Sequence, residues 1–295
     1  MSTEAITARL PQVLSRRSWR PGKFASRTLF YVLVAIFVLA SLFPFYWMVI
    51  TSLKSGNELS SGTTGLFLHH PTFSAYTSIF SKYNFIQPLI NSAIVCLGVT
   101  VLSVFIGALA GYGLARTRMR FKGSILGFIL IVSFFPILAM VGPMVIAYKN
   151  VGLLNTLPGL IIAYFIYTLP IATWLLTNFF SQIPAALEEA AIVDGATRLQ
   201  ALRKVIVPVA LPGVFTATIM SFILAWNDFA FALSFITSDS RATAPLAIVN
   251  IGHSQYHVFY NLIDAAVVIV TIPVALLVIF AQKRIISGLT AGALK

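Results

Sequence analysis

Residues Glu188–Pro208 read EEAAIVDGATRLQALRKVIVP. Six of these side chains are charged, in a chain where charged residues make up only 9% of the whole. Long apolar segments lie on either side, so a short, punctuated, polar insert interrupts an otherwise lipid-soluble sequence. Its local signals are those of two short helices around a turn. Pro184 suits a first helical turn, and Ala185–Asp194 holds strong helix formers. Gly195 supplies a C-terminal stop. Thr197, with Gln200 three residues later, predicts a capping box for a second helix, Arg198–Val205, which Pro208 ends. Leu187, Ala190 and Ala191 share one face of the first helix, and the two alanines there let a partner approach closely. The stretch reads as a helix–turn–helix lying along a membrane and presenting a surface to water.

The surroundings fix the class. The 295 residues are 58% hydrophobic, with a mean hydropathy of +0.91 and one cysteine, too apolar for a soluble protein of this size. Six stretches free of Asp, Glu, Lys and Arg are long enough to cross a bilayer: Thr28–Leu53, Tyr83–Ala115, Gly123–Tyr148, Asn150–Leu187 (core Leu157–Phe180), Val205–Asn227 and Ala265–Gln282. The fifth is expected to continue past Asp228. The fold class is therefore all-α, a polytopic membrane protein of six transmembrane helices.

Charge sets the expected orientation. With both termini cytoplasmic, sixteen of the twenty basic residues fall inside, including Arg116, Arg118, Arg120, Lys122, Arg198, Arg203 and Lys204. Lys54, Lys82, Lys149 and Arg241 fall outside, so the positive-inside rule selects this topology. The net charge of +12 then belongs to anchors facing anionic membrane lipid, with no call for nucleic acid. Residues 1–27 read as a basic cytoplasmic lead and 28–283 as the membrane domain, with a polar loop at 181–212. Residues 284–295 read as a cytoplasmic tail. Thr28–Leu53 is far longer than a signal-peptide core of about 7–15 residues, and no small-residue cleavage site follows, so it reads as an uncleaved first helix. Cys96 sits alone in a span as a small apolar side chain.

Several residues outside the loop invite a chemical reading. Pro44, Pro136, Pro143, Pro170 and Pro273 interrupt spans and either line a pathway or pack around kinks. Trp226, Asn227 and Asp228 place polar groups in the fifth span, where a carboxylate among aromatics suits sugar hydroxyls or bonds to a neighbouring helix. Asp264 falls at the outer end of the sixth span, within reach of water. His253 and His257 have the i, i+4 spacing of zinc ligands, but no third ligand accompanies them. An Asp228–Asp264 proteolytic dyad would leave the charged loop unexplained. The outer segment Ser238–Leu262 is long enough to touch an external protein, or is an ordinary solvated loop.

The loop also carries a resemblance. Glu189-Ala190-Ala191, three residues, Gly195, nine residues and Val205-Ile206-Val207-Pro208 resemble the EAA loop of ATP-binding cassette importer permeases, with valines where that family has Ile and Leu. Trp226-Asn227-Asp228-Phe229 resembles the corresponding segment of maltose-type permeases. The end, GLTAGALK from Gly288 to Lys295, is similar to that of the smaller maltose-type subunit. The resemblance implies a type I importer permease fold and a carbohydrate importer. It implies that ATPase coupling falls to Glu188, Glu189, Ala190, Ala191, Asp194, Gly195 and Pro208, with a tail contact through Gly288, Thr290 and Gly292. It implies a second homologous permease subunit, two cytoplasmic ATPase subunits and an extracytoplasmic solute-binding protein as partners. ATP and Mg would sit on the ATPases: the chain has no Gly-x4-Gly-Lys-Ser/Thr phosphate loop, so no cofactor and no catalysis are expected of it. The rival reading, an ion-coupled secondary transporter working without an ATPase, leaves the loop and the tail without a purpose, and no internal repeat supports it.

Overall fold

The computed structural model describes the backbone of residues 21–60, 65–117, 119–252 and 258–293. The chain divides into two compact units, 1–47 and 48–295. The first is described from Pro21 and is the apolar start of helix α1 (Pro21–Leu53), with Pro44 in its interior. In the second, two short helices follow, α2 (Gly56–Ser60) and α3 (Ser74–Ser81), and then the long α4 (Ile86–Arg116). Helices α5 (Lys122–Ser133), α6 (Ile137–Asn150) and α7 (Leu157–Gln182) lead to the charged loop. That loop holds α8 (Ala185–Val193), α9 (Arg198–Ala201), a π turn (Leu202–Ile206) and α10 (Val207–Val209). Helices α11 (Leu211–Trp226), α12 (Ala230–Phe235), α13 (Ala244–Gly252) and α14 (Tyr260–Ala293) complete the chain. No strand is present among the described residues.

Four described helices are each long and apolar enough to span a bilayer, and two bent pairs bring the possible total to six. The predicted third span is not continuous. It breaks at Pro136, and its halves meet at 86°. Pro136 has an extended ψ of 116° and no N–H to continue the ladder of α5. The predicted fifth span also differs at both ends. Its helix begins at Leu211, where Pro212 occupies a first-turn position that needs no donor, and it stops at Trp226 without running past Asp228. The preceding segment, Arg198–Val209, lies at 84° to it. At the C-terminus the helix runs from Tyr260 to Ala293 with no break at the expected tail boundary.

The centre of the second unit is the pairing of α4 with α7, on which α11 packs, with α14 against α11. A Cβ on Gly107 would stand 3.2 Å from Ala172 Cβ and from Thr173 N; on Gly111 it would stand 2.9 Å from Thr177 N. These two glycines, four residues apart, therefore face α7 and admit its backbone closely, tightly at Gly107 and at Gly111 closer than a Cβ allows. One turn earlier Ser103 Oγ and Thr168 Oγ1 share a hydrogen bond of 2.6 Å. Both hydroxyls are buried, so each satisfies the other where no water is available.

At the end of these helices remote from the charged loop, polar side chains hold the connections down. Asn91 Nδ2 donates to the carbonyls of Ser240 and Ala242 at 3.0 and 2.9 Å, and Ser92 Oγ accepts from Ala244 N at 2.8 Å. Asn155, in the left-handed region at φ 54°, accepts from the backbone N–H groups of Thr237 and Ser238. Much of the outer segment Ser238–Leu262 is thus packed and not an ordinary solvated loop, with Ala242, Thr243, Ala244, Leu246 and Ile251 all buried. Lys54, expected as an outer-loop charge, is also buried, at 1% exposure, and donates to the Gly65 carbonyl at 2.6 Å. His253, Ser254 and His257 lie outside the described residues.

The glycine contact yields a stability test. Gly111→Val forces side-chain carbons onto the Thr177 backbone and should destabilise the purified protein by about 1–3 kcal/mol. Gly113, two residues away with open space beside it, is the control. Gly113→Ala should be neutral or stabilising by up to about 1 kcal/mol, since alanine is the better helix former. Thermal unfolding in detergent distinguishes the pair. Equal melting temperatures for both variants would remove the close-approach argument.

Candidate functional site: the charged loop

The loop is built from locally encoded turns. Helix α8 closes in a Schellman arrangement: Gly195 N donates to the Ile192 carbonyl at 3.0 Å and Ala196 N to the Ala191 carbonyl at 2.9 Å. Gly195 takes φ +89°, a conformation that disfavours any residue with a Cβ. The predicted capping box is present. Gln200 N donates to Thr197 Oγ1 at 3.3 Å, and Thr197 N to Gln200 Oε1 at 2.8 Å. Pro208 does not end the second helix, which runs on to Val209. The π turn just before it widens the backbone, with Val207 N reaching back to the Leu202 carbonyl. This looser turn accommodates a proline ring that would clash with the preceding turn of a regular α-helix.

Apolar side chains seat the loop on the spans. Ile183, Leu202, Ile206 and Ala210 are buried in one cluster with Leu176 and Phe180 of α7 and Ala217 of α11. Val104, Ala108, Tyr112 and Ala115 of α4 pack against it. Other side chains of the loop are open. Leu187, Ile192 and Val193 are exposed, Val193 at 86%, with Ala190 exposed and Ala191 half-buried beside them, while Leu199 is exposed along an apolar groove of α4 and α11. A group of exposed apolar side chains on two polar-flanked helices marks a surface made for a partner.

The two adjacent glutamates differ in burial. Glu189 is exposed, as are Asp194 and Gly195. Glu188 is not part of that surface, against the expectation placed on it. It is buried at 8% exposure, its Oε2 2.7 Å from Arg116 Nε, and its Oε1 accepts the Tyr112 hydroxyl. Arg116 Nη1 also donates to the Ile183 carbonyl at 2.9 Å. Helical geometry permits the difference: neighbouring residues point about 100° apart, so one can be buried while the next stays exposed. Removing one partner of such a buried pair leaves the other charge stranded, at about 3–5 kcal/mol. Beside it opens a cleft of about 450 Å³ lined by Tyr112, Arg116, Glu188, Glu189, Ile192 and Arg198, among others.

The second candidate, at the end of α11, makes contacts of the structural kind that was one of its two expected readings. Trp226 is buried, stacks on Phe222 at 5.4 Å and donates its indole N–H to the Val270 carbonyl at 3.1 Å. Asp228 is buried, and its Oδ1 accepts from the N–H groups of Phe231 and Ala232 at 3.1 and 3.4 Å. It thus serves the open first turn of α12, with Tyr164 beside it. Asn227 is the exposed member of the three, its Nδ2 bonded to the Ile223 carbonyl at 2.8 Å. Asp264 of α14 is half-buried, with Thr51 as its side-chain partner, so its charge does not simply stand in water. Among the described residues no cluster of His, Cys, Asp and Glu is arranged to hold a metal ion.

Comparison with known proteins decides the family. Residues 103–290 match the model of the binding-protein-dependent transport system inner membrane component. The chain belongs to this family of transport permeases. It is 39% identical over 272 residues to the sulfoquinovosyl glycerol transport system permease protein SmoH of Agrobacterium fabrum, covering 92% of this chain and 95% of that one. It is 41% identical over 269 residues to the trehalose transport system permease protein SugB of Mycobacterium tuberculosis, covering 91% and 97%. Its fold is similar to a chain in the crystal structure of a bacterial ABC transporter involved in the import of the acidic polysaccharide alginate. The TM-score is 0.74 at 24% identity, over 90% of this chain and 98% of that one. The permease is thus a multi-pass inner-membrane protein and a non-catalytic component of its transport system.

Within the permease, Tyr112 and Arg116 are site residues that the sequence did not announce. Arg116 read only as a cytoplasmic anchor, yet Tyr112 and Arg116 stand at i, i+4 at the end of a span, a spacing that puts both on one face. The tail residues Gly288, Thr290 and Gly292 lie on the backbone of α14, their surroundings outside the described residues. The Asp228 geometry predicts a structural phenotype. Asp228→Ala should lower the stability of the purified permease by about 1–2 kcal/mol, because the first-turn donors of α12 lose their acceptor. Asp228→Asn, which keeps an acceptor oxygen, should recover most of it. Detergent melting curves read this directly, and an unchanged melting temperature in Asp228→Ala would return the carboxylate to the substrate path.

Proposed function

We propose that this permease forms half of the translocation path of an ATP-driven carbohydrate importer. It takes force from an ATPase through the outward face of α8. The observation that carries this is the disposition of the loop: Glu189, Ala190 and the apolar side chains of α8 stay exposed while Ile183, Leu202, Ile206 and Ala210 are buried against the spans. In this reading the charged-loop end and both termini are cytoplasmic, as the distribution of basic residues favours. Glu189 meets a basic residue in a cleft of the ATPase, and Ala190 and Ala191 allow close packing. Gly195 permits the turn, and the end of α14 extends the contact through Gly288, Thr290 and Gly292.

Two cytoplasmic ATPase subunits, a second homologous permease subunit and an external binding protein complete the complex. ATP and Mg are bound by the ATPases. Their closure draws the docked loops together, and the helices rock between inward-facing and outward-facing states around the path. The sugar assignment rests on relatives whose names specify trehalose and sulfoquinovosyl glycerol, both glycosides. The binding protein selects the sugar in this reading, and its purified ligand would identify the substrate.

Charge reversal tests the docking face. Glu189→Lys replaces attraction by repulsion at a partly desolvated contact, a loss of about 2–5 kcal/mol. Gly195→Val should act by a separate route, since a β-branched residue resists φ +89°. Both variants should insert normally into the membrane, lose ATPase co-purification and abolish most uptake of the sugar found on the binding protein. Near-normal uptake by either variant in proteoliposomes containing this chain without an ATPase would establish an ion-coupled transporter instead.

A further inference from the structure

We propose that Glu188 is a positioning residue that makes α8 and the end of α4 move as one body, with Arg116 and Tyr112 as its grips. The inference deepens the coupling reading and rests on it. Helix α8 is joined directly to α7 through Ile183 and Pro184, and the rest of the loop leads directly into α11. Helix α4 has no such covalent link, since Tyr112 and Arg116 lie 76 and 67 residues from their loop partners Glu188 and Ile183. Any displacement of the loop reaches α4 only through side-chain and packing contacts.

Those contacts are of two kinds. The apolar cluster of Leu202, Ile206, Ala108 and Ala115 resists separation but is weakly directional, and such surfaces slide. The Glu188 carboxylate is different, because both of its oxygens are held, one by Arg116 and the other by Tyr112. Two grips from successive turns of one helix fix its orientation as well as its position. Arg116 extends the hold to the Ile183 carbonyl, at the junction of α7 with α8. One guanidinium therefore ties α4 to both the docking helix and its hinge. Glu189, on the exposed side, is the next residue along. Force received at Glu189 has one residue of helix to cross before it meets the grip on α4.

The test reads rigidity directly. In the assembled complex, with Cys96→Ala as background, spin labels on Gly113→Cys of α4 and Ala185→Cys of α8 report the separation across the cleft that both residues line. The expected distribution is narrow and unchanged between nucleotide-free and ATP-bound complexes. Glu188→Gln and Arg116→Gln should broaden it by about twofold or more while ATPase co-purification stays within about twofold of normal, the coupling expected of groups in one network. The exchanged pair, Glu188→Arg with Arg116→Glu, should recover the narrow distribution, which a loss of general stability would not. Tyr112→Phe, which deletes one grip and keeps the ion pair, covers the case in which the charge variants fail to assemble, and should give an intermediate width. An unchanged width in Glu188→Gln or Tyr112→Phe overturns the proposal, as does a separation that shifts with ATP in the unmodified background. The comparison of widths between variants does not depend on where the ATPase docks, so it remains readable if Glu189→Lys leaves uptake intact and the docking reading fails.

Discussion

The close approach of α4 and α7 is the contact from which the rest of this permease is hung. In hydrocarbon there is no hydrophobic drive to bring two apolar helices together, so association depends on packing and on buried hydrogen bonds. Gly107 and Gly111 let the backbones meet, and Ser103 with Thr168 adds a buried bond in the same interface. The loop end of this pair supplies Tyr112, Arg116, Leu176 and Phe180, the seat of the charged loop. Its other end supplies Asn91 and Ser92, which hold the connection leading to α13. Widening the pair would disturb both ends together.

The same constraint explains why polar side chains here are so often structural. A backbone group left open by a helix break must find a partner within the protein. Asp228 accepts from the first turn of α12, the Trp226 indole uses a carbonyl of α14, and Asn155 takes two donors of a connecting segment. Read singly, an aspartate and a tryptophan in a span suggest a substrate site. Read with their partners, they pay the debts of broken helices.

What could be read in the sequence was what is encoded locally. The Gly195 turn and the Thr197–Gln200 capping box depend on residues within a few positions of one another, and both stand as expected. The apolar runs were legible for α4, α7 and α14 because length and hydropathy suffice there. Pro136 marked an interruption but not its size, and the bend at Ala210 was not legible at all, since an uncharged run looks the same whether straight or folded back through about 85°. Nor could the sequence say which of two neighbouring glutamates faces inward. That is decided by Arg116, 72 residues before Glu188, and by the way two helices meet.

This last feature bears on how such a loop can change over time. Because Glu188 is buried and Glu189 is exposed on one helix, the working unit in α8 is an angular phase as much as a set of residues. A single-residue insertion between Pro184 and Glu188 would rotate everything beyond it by about 100° and exchange the roles of inner and outer faces. A substitution at an exposed position changes the chemistry offered to a partner but leaves the inner contacts in register. The spacing from the start of the helix to its first glutamate has no such freedom. A substitution alters one contact at a time, whereas a change of length displaces every contact beyond it at once.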